Sequence, residues 1–285
     1  MIFVGSARAG FWPRLLAAFS YGLPVVLIVA PLVSFLAYSF FHMEGGQIVT
    51  DVSLVNYKRF FTDTIFIPIL FKTCLLCMAV ALLAVLIGFP VAFLLSNLKG
   101  RRRYFVLLMV LVPLLMSYII KIYAIRSILG GSGFLNRFLL WTGVIDAPLT
   151  FFVFNLNAVL LTLTILLIPF AILPIFLSLE RIPRSLLEAS SDLGASASQT
   201  FLRIVLPLTL PGIVTAATFV FVLAIGDFLT PQMVGGQSGF TFGRIVYSQF
   251  GAAFNWPFGA ALAIILALVV IVMIALGSRL EDRGT

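Results

Sequence analysis

The residue types that most often carry out chemistry are few in this sequence. Cys74 and Cys77 form a C-x-x-C pair, a spacing found in redox and metal sites, and His42 is the single histidine. Both cysteines lie within an uncharged apolar run, where a free thiol packs as a small hydrophobic side chain. One histidine alone makes no metal site. We therefore predict no catalytic residue, no bound metal and no cofactor on this chain.

One acidic residue stands out by its isolation. Asp227 is the only acid between Asp192 and Glu281, and it ends a long apolar run. An ionisable group at membrane depth is costly and suggests a function, here a carboxylate that attracts an ammonium group. The alternatives are an anchor at the membrane surface or a partner for Lys121.

Three aromatic residues could contribute to the same cation site. The faces of aromatic rings attract cations. Aromatic residues at the ends of spans also form the belt at the membrane interface, so both interpretations stay open. The residues are Tyr118, Tyr123 and Phe228.

The composition of the 285 residues fixes the class of protein. Apolar residues make up 62% and charged residues only 10%, against roughly a quarter in an ordinary soluble domain. Phe alone occurs 29 times, more than one globular core can hold. The sequence therefore excludes a soluble enzyme, a disulfide scaffold and a disordered protein, and indicates an integral membrane protein.

Charge-free runs locate the membrane spans. A spanning helix needs about 20 apolar residues, and lipid requires every backbone group to be paired internally, so the spans must be helices. We predict an all-α membrane protein with six transmembrane helices near 17–41, 71–97, 104–125, 152–178, 207–229 and 257–277.

The basic residues orient these spans. With both termini in the cytoplasm, 11 Lys and Arg side chains lie inside, from Arg8 near the start to Arg283 near the end, and 7 lie outside. The densest cluster, Lys99 to Arg103, occupies a short loop, where the positive-inside rule is most reliable. We predict an N-in and C-in orientation, and we attribute the net charge of +8 mainly to this bias and not to nucleic-acid binding.

The connection between the fourth and fifth spans, residues 180–206, has helix signals of its own. Ser185 with Glu188 and Ser196 with Gln199 have the spacing of capping boxes, and Gly194 is a plausible helix stop. We predict a first short helix over 186–193 and a second that ends at Pro207. Such helices could pack under the bundle, or they could dock a cytoplasmic partner.

The same segment resembles the EAA loop of the membrane subunits of type I ABC importers. Glu188-Ala189-Ser190, Gly194 and Ile204-x-Leu206-Pro207 match the pattern E-A-A-x3-G-x9-I-x-L-P, with Ser190 in place of the second alanine. The resemblance implies a coupling helix seated in a groove of a separate ATPase subunit. The implied coupling residues are Leu187, Glu188, Ala189, Ser190, Asp192 and Gly194.

Further motifs are similar to the polyamine (spermidine/putrescine) permeases of this family. They are Thr200-Phe-x-Arg-x-x-Leu-Pro-Leu-x-x-Pro-Gly212, Gly226-Asp-Phe-x-Thr-Pro-x-x-x-Gly-Gly236 and Trp256-Pro-Phe-Gly259. Those permeases usually carry Arg-x-Tyr-Ala-Trp after the third span, where this chain has Lys121-Ile-Tyr-Ala-Ile-Arg126. Permeases for opines, ferric ion, thiamine and other small solutes share much of the pattern, so these cargoes stay open.

The resemblance implies a set of partners and a location. The partners are two cytoplasmic ATPase subunits that bind ATP and Mg²⁺, a second permease that is homologous or identical, an external or periplasmic solute-binding protein, and membrane lipid. The location is the bacterial inner (plasma) membrane. We treat 1–285 as a single transmembrane domain, with 1–69 as first span and outer loop, a core over about 70–277 and the coupling loop at 180–206. A channel would explain the spans but not this loop, and a membrane enzyme would need a catalytic constellation.

Overall fold

The structure, a computed structural model, describes residues 11–282, apart from the side chains at 11, 13, 14, 17, 18, 21 and 280–282. Arg8 and Arg283 therefore lie outside the described residues. The elements in chain order are α1 (Phe11–Ser39), β1 (His42–Glu44), β2 (Gln47–Val49), α2 (Val55–Thr62), α3 (Phe66–Asn97), α4 (Arg101–Leu115), α5 (Tyr118–Leu129), α6 (Phe134–Trp141), α7 (Leu156–Glu180), α8 (Arg184–Asp192), α9 (Ala197–Thr200), a π-turn (Phe201–Val205), α10 (Leu206–Ile225), α11 (Leu229–Val234), α12 (Phe242–Gly251) and α13 (Trp256–Asp282).

Five helical stretches of the described chain are long and apolar enough to cross a membrane. Four of them match predicted spans to within several residues, and the stretch that overlaps the predicted span 207–229 begins ten residues earlier, at Ala197. A sixth span results if the bent pair of α4 with the segment Tyr118–Trp141 counts as one. The five are Gly22–Ser39, Phe66–Asn97, Leu156–Glu180, Ala197–Ile225 and Trp256–Arg279.

The third predicted span, 104–125, is wrong as a straight helix. The chain bends by 97° between α4 and the segment that begins at Tyr118. Met116 has extended backbone angles, φ −78° and ψ 148°, three residues after Pro113. Proline disturbs the turn before it, whereas α4 stays helical through Leu115, so Pro113 alone does not account for the break. The length of a charge-free run predicts a membrane-spanning segment, but it does not predict whether the helix in that segment is straight or bent.

The chain divides into two compact units, which are described separately. In the unit of residues 63–247 and 266–282, the helices α3, α7 and α10 pack against one another. Small residues permit this close approach, as is common between helices in lipid. A Cβ added at Gly88 on α3 would lie 3.3 Å from the Cβ of Ala171 on α7. Fully buried alanines on the three helices are Ala84, Ala92, Ala171 and Ala216.

In the unit of residues 11–62 and 248–265, polar side chains fix the chain after α1. The buried Asn56 amide donates to the carbonyls of Ser39 (3.1 Å) and Phe41 (2.6 Å). The hydroxyls of Ser39 and Tyr57 lie 2.7 Å apart. The β1–β2 hairpin, which the sequence prediction missed, follows α1 and is antiparallel.

The close contact between α10 and α7 at Gly212 predicts how a substitution there changes the stability of the protein. A Cβ there would collide with the Cβ of Ser178 and lie 2.9 Å from the carbonyl oxygen of Pro174, both on α7. Because a packed core tolerates added volume poorly, Gly212→Ala should destabilise the protein by about 1–3 kcal/mol. Thermal unfolding in detergent measures this.

The control for that measurement is Gly22→Ala. Nothing lies within 4 Å of a Cβ at Gly22 in α1, and alanine favours a helix over glycine. We expect the melting temperature of this variant to stay the same or rise slightly. Equal melting temperatures for the two variants would contradict the packing proposed for α7 and α10.

Candidate functional site

Two clusters of candidate residues lie at opposite ends of α10. The coupling loop, residues 180–206, leads into its first residue, and Asp227 follows its last turn. A helix rises about 1.5 Å per residue, so the 20 residues of α10 separate the clusters by about 30 Å. The helix itself packs against α3 and α7, which gives both clusters a common rigid support.

The first helix of the coupling loop begins differently from the prediction. Pro183 precedes α8, with φ −64°, and no side chain caps the helix. The capping box predicted for Ser185 and Glu188 is therefore wrong. Proline is pre-organised for a helix start, so α8 begins at Arg184 and Ser185 falls inside the first turn. The Glu188 side chain is exposed instead of folding back.

The end of α8 confirms the predicted stop at Gly194. Gly194 has φ +76°, a conformation that favours glycine. Its N–H donates to the carbonyl of Ser191 (2.9 Å), and the N–H of Ala195 donates to that of Ser190 (3.0 Å). These two bonds form a Schellman motif, which pairs carbonyls that a helix end leaves free.

The α8 helix presents one side to the protein and another to the outside. Leu187 packs against the core, and Ser190 is only 6% exposed. Leu193 is 88% exposed, although leucine gains from burial. One exposed leucine does not by itself define a docking surface, but at the end of a short helix it is available to a partner that offers an apolar groove. The exposed residues of the proposed coupling set are Glu188, Ala189, Asp192 and Gly194.

Ser190, the one departure from the E-A-A pattern, makes contacts that an alanine cannot make. Its hydroxyl donates to the carbonyl of Leu187 (2.9 Å) and lies 2.9 Å from the hydroxyl of Thr200. The Ser190–Thr200 bond joins α8 to α9 across the turn at Gly194. The sequence contained one signal for it, since a serine at an inward-facing helical position requires a hydrogen-bond partner.

The second helix of the loop starts as predicted and ends later. Ser196 and Gln199 form a complete capping box, which confirms that prediction. The predicted end at Pro207 is wrong, because α9 continues through the π-turn into α10. The N–H of Leu206 reaches back five residues to the carbonyl of Phe201. The wider turn makes room for a proline ring, which would clash with the carbonyl four residues earlier in a regular helix.

Aromatic contacts attach the π-turn to α3. The Phe201 ring meets the rings of Phe89 and Phe93 edge-on, at centroid distances of 5.8 and 6.0 Å. This T-shaped arrangement is a favourable one for aromatic pairs. The start of α10 is therefore fixed to α3 as well as to the coupling loop.

An ion pair lies beside the coupling loop. Arg103, in the first turn of α4, pairs with Glu180 at the end of α7, and its guanidinium lies 5.0 Å from the centroid of the Phe176 ring. A cavity of about 320 Å³ next to this pair is also lined by Leu187 and Glu188 of α8. This pair was not predicted, although the Arg cluster and Glu180 both stand at the ends of predicted spans, where opposite charges can pair.

At the other end of α10, Asp227 is held by three neutral donors. The Tyr118 hydroxyl donates to Oδ2 (2.7 Å), and the backbone N–H groups of Leu229 and Thr230 donate to Oδ1 (2.9 and 3.3 Å). The carboxylate thus starts α11 in the manner of a helix cap. The structure connects Tyr118, the first residue after the bend, directly to Asp227.

The other residues predicted near Asp227 have separate environments. The Lys121 ammonium lies 5.4 Å from the Tyr118 ring centroid, and within the described residues no ion pair joins it to Asp227. Phe228 stacks on Tyr247 with ring centroids 4.2 Å apart. Tyr123 is 54% exposed and lines a different cavity, of about 440 Å³, together with Arg126.

Sequence reasoning treated Tyr118 only as an aromatic face and overlooked Thr230. The Tyr118 and Thr230 hydroxyls lie 3.2 Å apart, so both belong to the polar cluster around Asp227. The signal for Thr230 was its spacing, because a residue three positions after an acidic cap supplies a free N–H. No local signal could pair Asp227 with a tyrosine 109 positions earlier.

The two cysteines lie on α3, and the histidine is the first residue of β1. Cys77 is buried and Cys74 half-buried on α3, and both are free thiols. Within residues 11–282, no group of three or more His, Cys, Asp and Glu side chains is arranged to hold a metal ion. We assign no catalytic or metal-binding role to these residues.

Comparison with known proteins adds sequence relatives over nearly the whole chain. Residues 84–283 match the family described as "Binding-protein-dependent transport system inner membrane component". The chain is 35% identical over 263 residues to the spermidine/putrescine transport system permease protein PotB of Escherichia coli K12, covering 91% of this chain and 95% of that protein. It is 34% identical to the inner membrane ABC transporter permease protein YdcU of the same strain, over 82% and 78% of the two chains.

Solved structures share the fold. A bacterial ABC transporter that imports alginate superimposes with a TM-score of 0.72 at 17% identity, over 95% of this chain and 96% of the other. The MetNI methionine transporter gives a TM-score of 0.57 at 22% identity, over 75% and 94%. With the family match over residues 84–283, these findings show that the chain belongs to the family of binding-protein-dependent transport system inner membrane components and is a multi-pass inner-membrane protein.

Proposed function

We propose that this chain is the membrane-spanning permease subunit of an ATP-driven importer for a polyamine or a related organic cation. The observation that carries the proposal is the 35% identity to a spermidine/putrescine permease over 91% of this chain. Transport proceeds by alternating access, in which closure of the ATPase subunits opens the cavity outward. The ATPase activity, with its ATP and Mg²⁺, belongs to a separate subunit.

The coupling loop is the proposed contact with that ATPase. Its exposed surface combines the apolar Leu193 with the acidic Glu188 and Asp192, on a short helix whose end is fixed by hydrogen bonds. A rigid amphipathic helix is what a groove on a partner binds. The same helix is attached through Leu187 to the core, so movement of the partner reaches the spans.

The remaining partners follow from the family. A binding protein delivers the cargo from outside, and a second permease, homologous or identical, completes the path. The solved alginate transporter is described with its periplasmic protein, which supports this kind of assembly for the present chain. We propose six spans in the N-in and C-in orientation, with α4 and the segment from Tyr118 forming one bent span.

Asp227 is the proposed attraction point for the cargo. Its described contacts are to neutral donors, so its negative charge is not cancelled by a neighbouring cation among the described residues. A carboxylate at the end of an apolar span attracts an ammonium group. Tyr118, Lys121, Tyr123 and Phe228 are proposed to shape this end of the path.

The orientation can be tested with single cysteines at exposed positions. We expect Leu193→Cys, in the coupling loop, to be protected from a membrane-impermeant maleimide in intact cells, and Val52→Cys, after the first span, to react. Both side chains are more than 80% exposed, so access depends on the side of the membrane. The reverse pattern would show that the orientation is inverted.

Docking of the ATPase can be tested at Leu193. Because this side chain is 88% exposed, Leu193→Lys should fold normally and weaken ATPase binding about tenfold, the effect of losing a buried anchor at an interface. Titration of the ATPase onto the permease in nanodiscs measures the affinity. Ser198→Lys, an exposed position on α9, adds the same charge and should bind normally. Equal affinities for both variants would exclude Leu193 from the contact.

The charge of Asp227 can be separated from its hydrogen bonds. Asp227→Asn keeps an oxygen for the N–H groups of Leu229 and Thr230 but removes the negative charge. We expect spermidine uptake into proteoliposomes to fall about tenfold or more, the effect of losing one charge-assisted interaction, with normal assembly.

The matched control is Tyr118→Phe, which removes the 2.7 Å hydrogen bond to Asp227 but leaves the charge. We expect its uptake to stay within about twofold of the wild type, because the carboxylate keeps its negative charge and its two backbone N–H donors. Equal losses in both variants would indicate that Asp227 has a purely structural role.

A further inference from the structure

We infer that the hydrogen bond between the Ser190 and Thr200 hydroxyls, which we call the strut, makes the coupling loop move as one rigid body with the start of α10. This inference rests on the proposed function, in which the ATPase docks on α8 and its closure displaces that helix. The two hydroxyl oxygens lie 2.9 Å apart, with Ser190 6% exposed and Thr200 half-buried, so the bond is partly shielded from solvent. A buried hydrogen bond is stronger than an exposed one because less water competes for its groups.

The loop needs a strut because of its backbone. Between α8 and α9 the chain turns at Gly194, which has φ +76°. The two bonds of the Schellman motif reach only as far as Ala195. They do not connect α8 to α9, so without a further contact the two helices could still bend relative to each other at the glycine. Ser190 precedes Gly194 and Thr200 follows it, ten residues apart in sequence. Their hydrogen bond links α8 directly to the end of α9, so the two helices cannot bend independently at the glycine.

Both ends of the strut are themselves fixed. Ser190 also donates to the carbonyl of Leu187, whose side chain packs on the core. Thr200 directly precedes Phe201, whose ring lies edge-on to Phe89 and Phe93 of α3. A displacement of α8 is therefore carried to α3 and α10 together.

The identity of residue 190 supports this role. The loop pattern has alanine there, and an alanine would leave the Thr200 hydroxyl without this partner. A shielded hydroxyl that loses its hydrogen-bond partner lowers the stability of the folded loop. Serine at 190 and threonine at 200 therefore stabilise the loop only together. Ser190 is thus a positioning residue, which acts on transport through Thr200 and not by touching the ATPase or the cargo.

The test uses the assembled importer in proteoliposomes, with the ratio of spermidine taken up to ATP hydrolysed as the readout. We expect Ser190→Ala and Thr200→Val each to lower this ratio about three- to tenfold, the range for loss of one hydrogen bond. The double variant should be no worse than either single variant, because both remove the same contact. Thr200→Ser, which keeps the hydroxyl, should restore the ratio.

Ser191→Ala is the matched control. Ser191 is the next residue on α8, is exposed, and donates to the same Leu187 carbonyl (3.1 Å). Its loss should leave the ratio unchanged. Unchanged ratios in Ser190→Ala and Thr200→Val, additive losses in the double variant, or a loss of assembly with a normal ratio would each overturn the strut.

A second measurement keeps this inference separate from the proposed cargo. Spin labels at Ser185, an exposed position on α8 outside the proposed coupling set, and at Leu208, with Cys74 and Cys77 changed to alanine, report the distance from α8 to α10 without any transport. The strut predicts one narrow distance that ATP does not change, and a broad one in Ser190→Ala. A broad distribution in the otherwise unchanged protein would overturn the strut. A narrow one without spermidine uptake would contradict only the cargo.

Discussion

Lipid offers no partner to a polar backbone group, and this constraint governs the rest of the structure. The spans are helical because each N–H and C=O must pair within the chain. Hydroxyls inside them return to their own helix, as Thr164 does to Leu160 (2.7 Å) and Thr209 to Val205 (2.6 Å). The bend before Tyr118 and the π-turn before Leu206 depart from regular helix. Tyr118 then bonds Asp227, and Thr200 bonds Ser190, so the irregular backbone adjoins the candidate sites.

Rigidity between those sites comes from the packing of α3, α7 and α10. Glycine and alanine at the contacts bring the backbones close, so little side-chain flexibility separates the helices. Gly212 faces Ser178 and Gly88 faces Ala171, which places close contacts along the second half of α7. In such a packed layer a movement at one end of α10 is carried along the helix, because close-packed interiors transmit strain instead of absorbing it.

The sequence predicted what depends on composition and local spacing. Uncharged runs identified the spans because length and hydropathy decide membrane insertion, and Gly194 and the Ser196–Gln199 box were recognisable because their partners are neighbours in sequence. The bend near Pro113 was not predictable, since prolines at 169 and 174 leave α7 continuous. The partners of Asp227 and Glu180 come from distant helices, and only the folded chain brings them together.

Glu180 and Asp227, the acidic residues at the ends of α7 and α10, have different electrostatic environments. Glu180 is paired with Arg103, so its charge is neutralised and it serves to join α7 to α4. Asp227 has only neutral donors in the described structure, and neutral donors stabilise a carboxylate without cancelling its charge. A transport path must attract its cargo but also release it, and a full ion-pair partner would either block the carboxylate or have to be displaced. If Asp227 lies on the path as proposed, a carboxylate held in place by a tyrosine and two backbone N–H groups would meet both requirements.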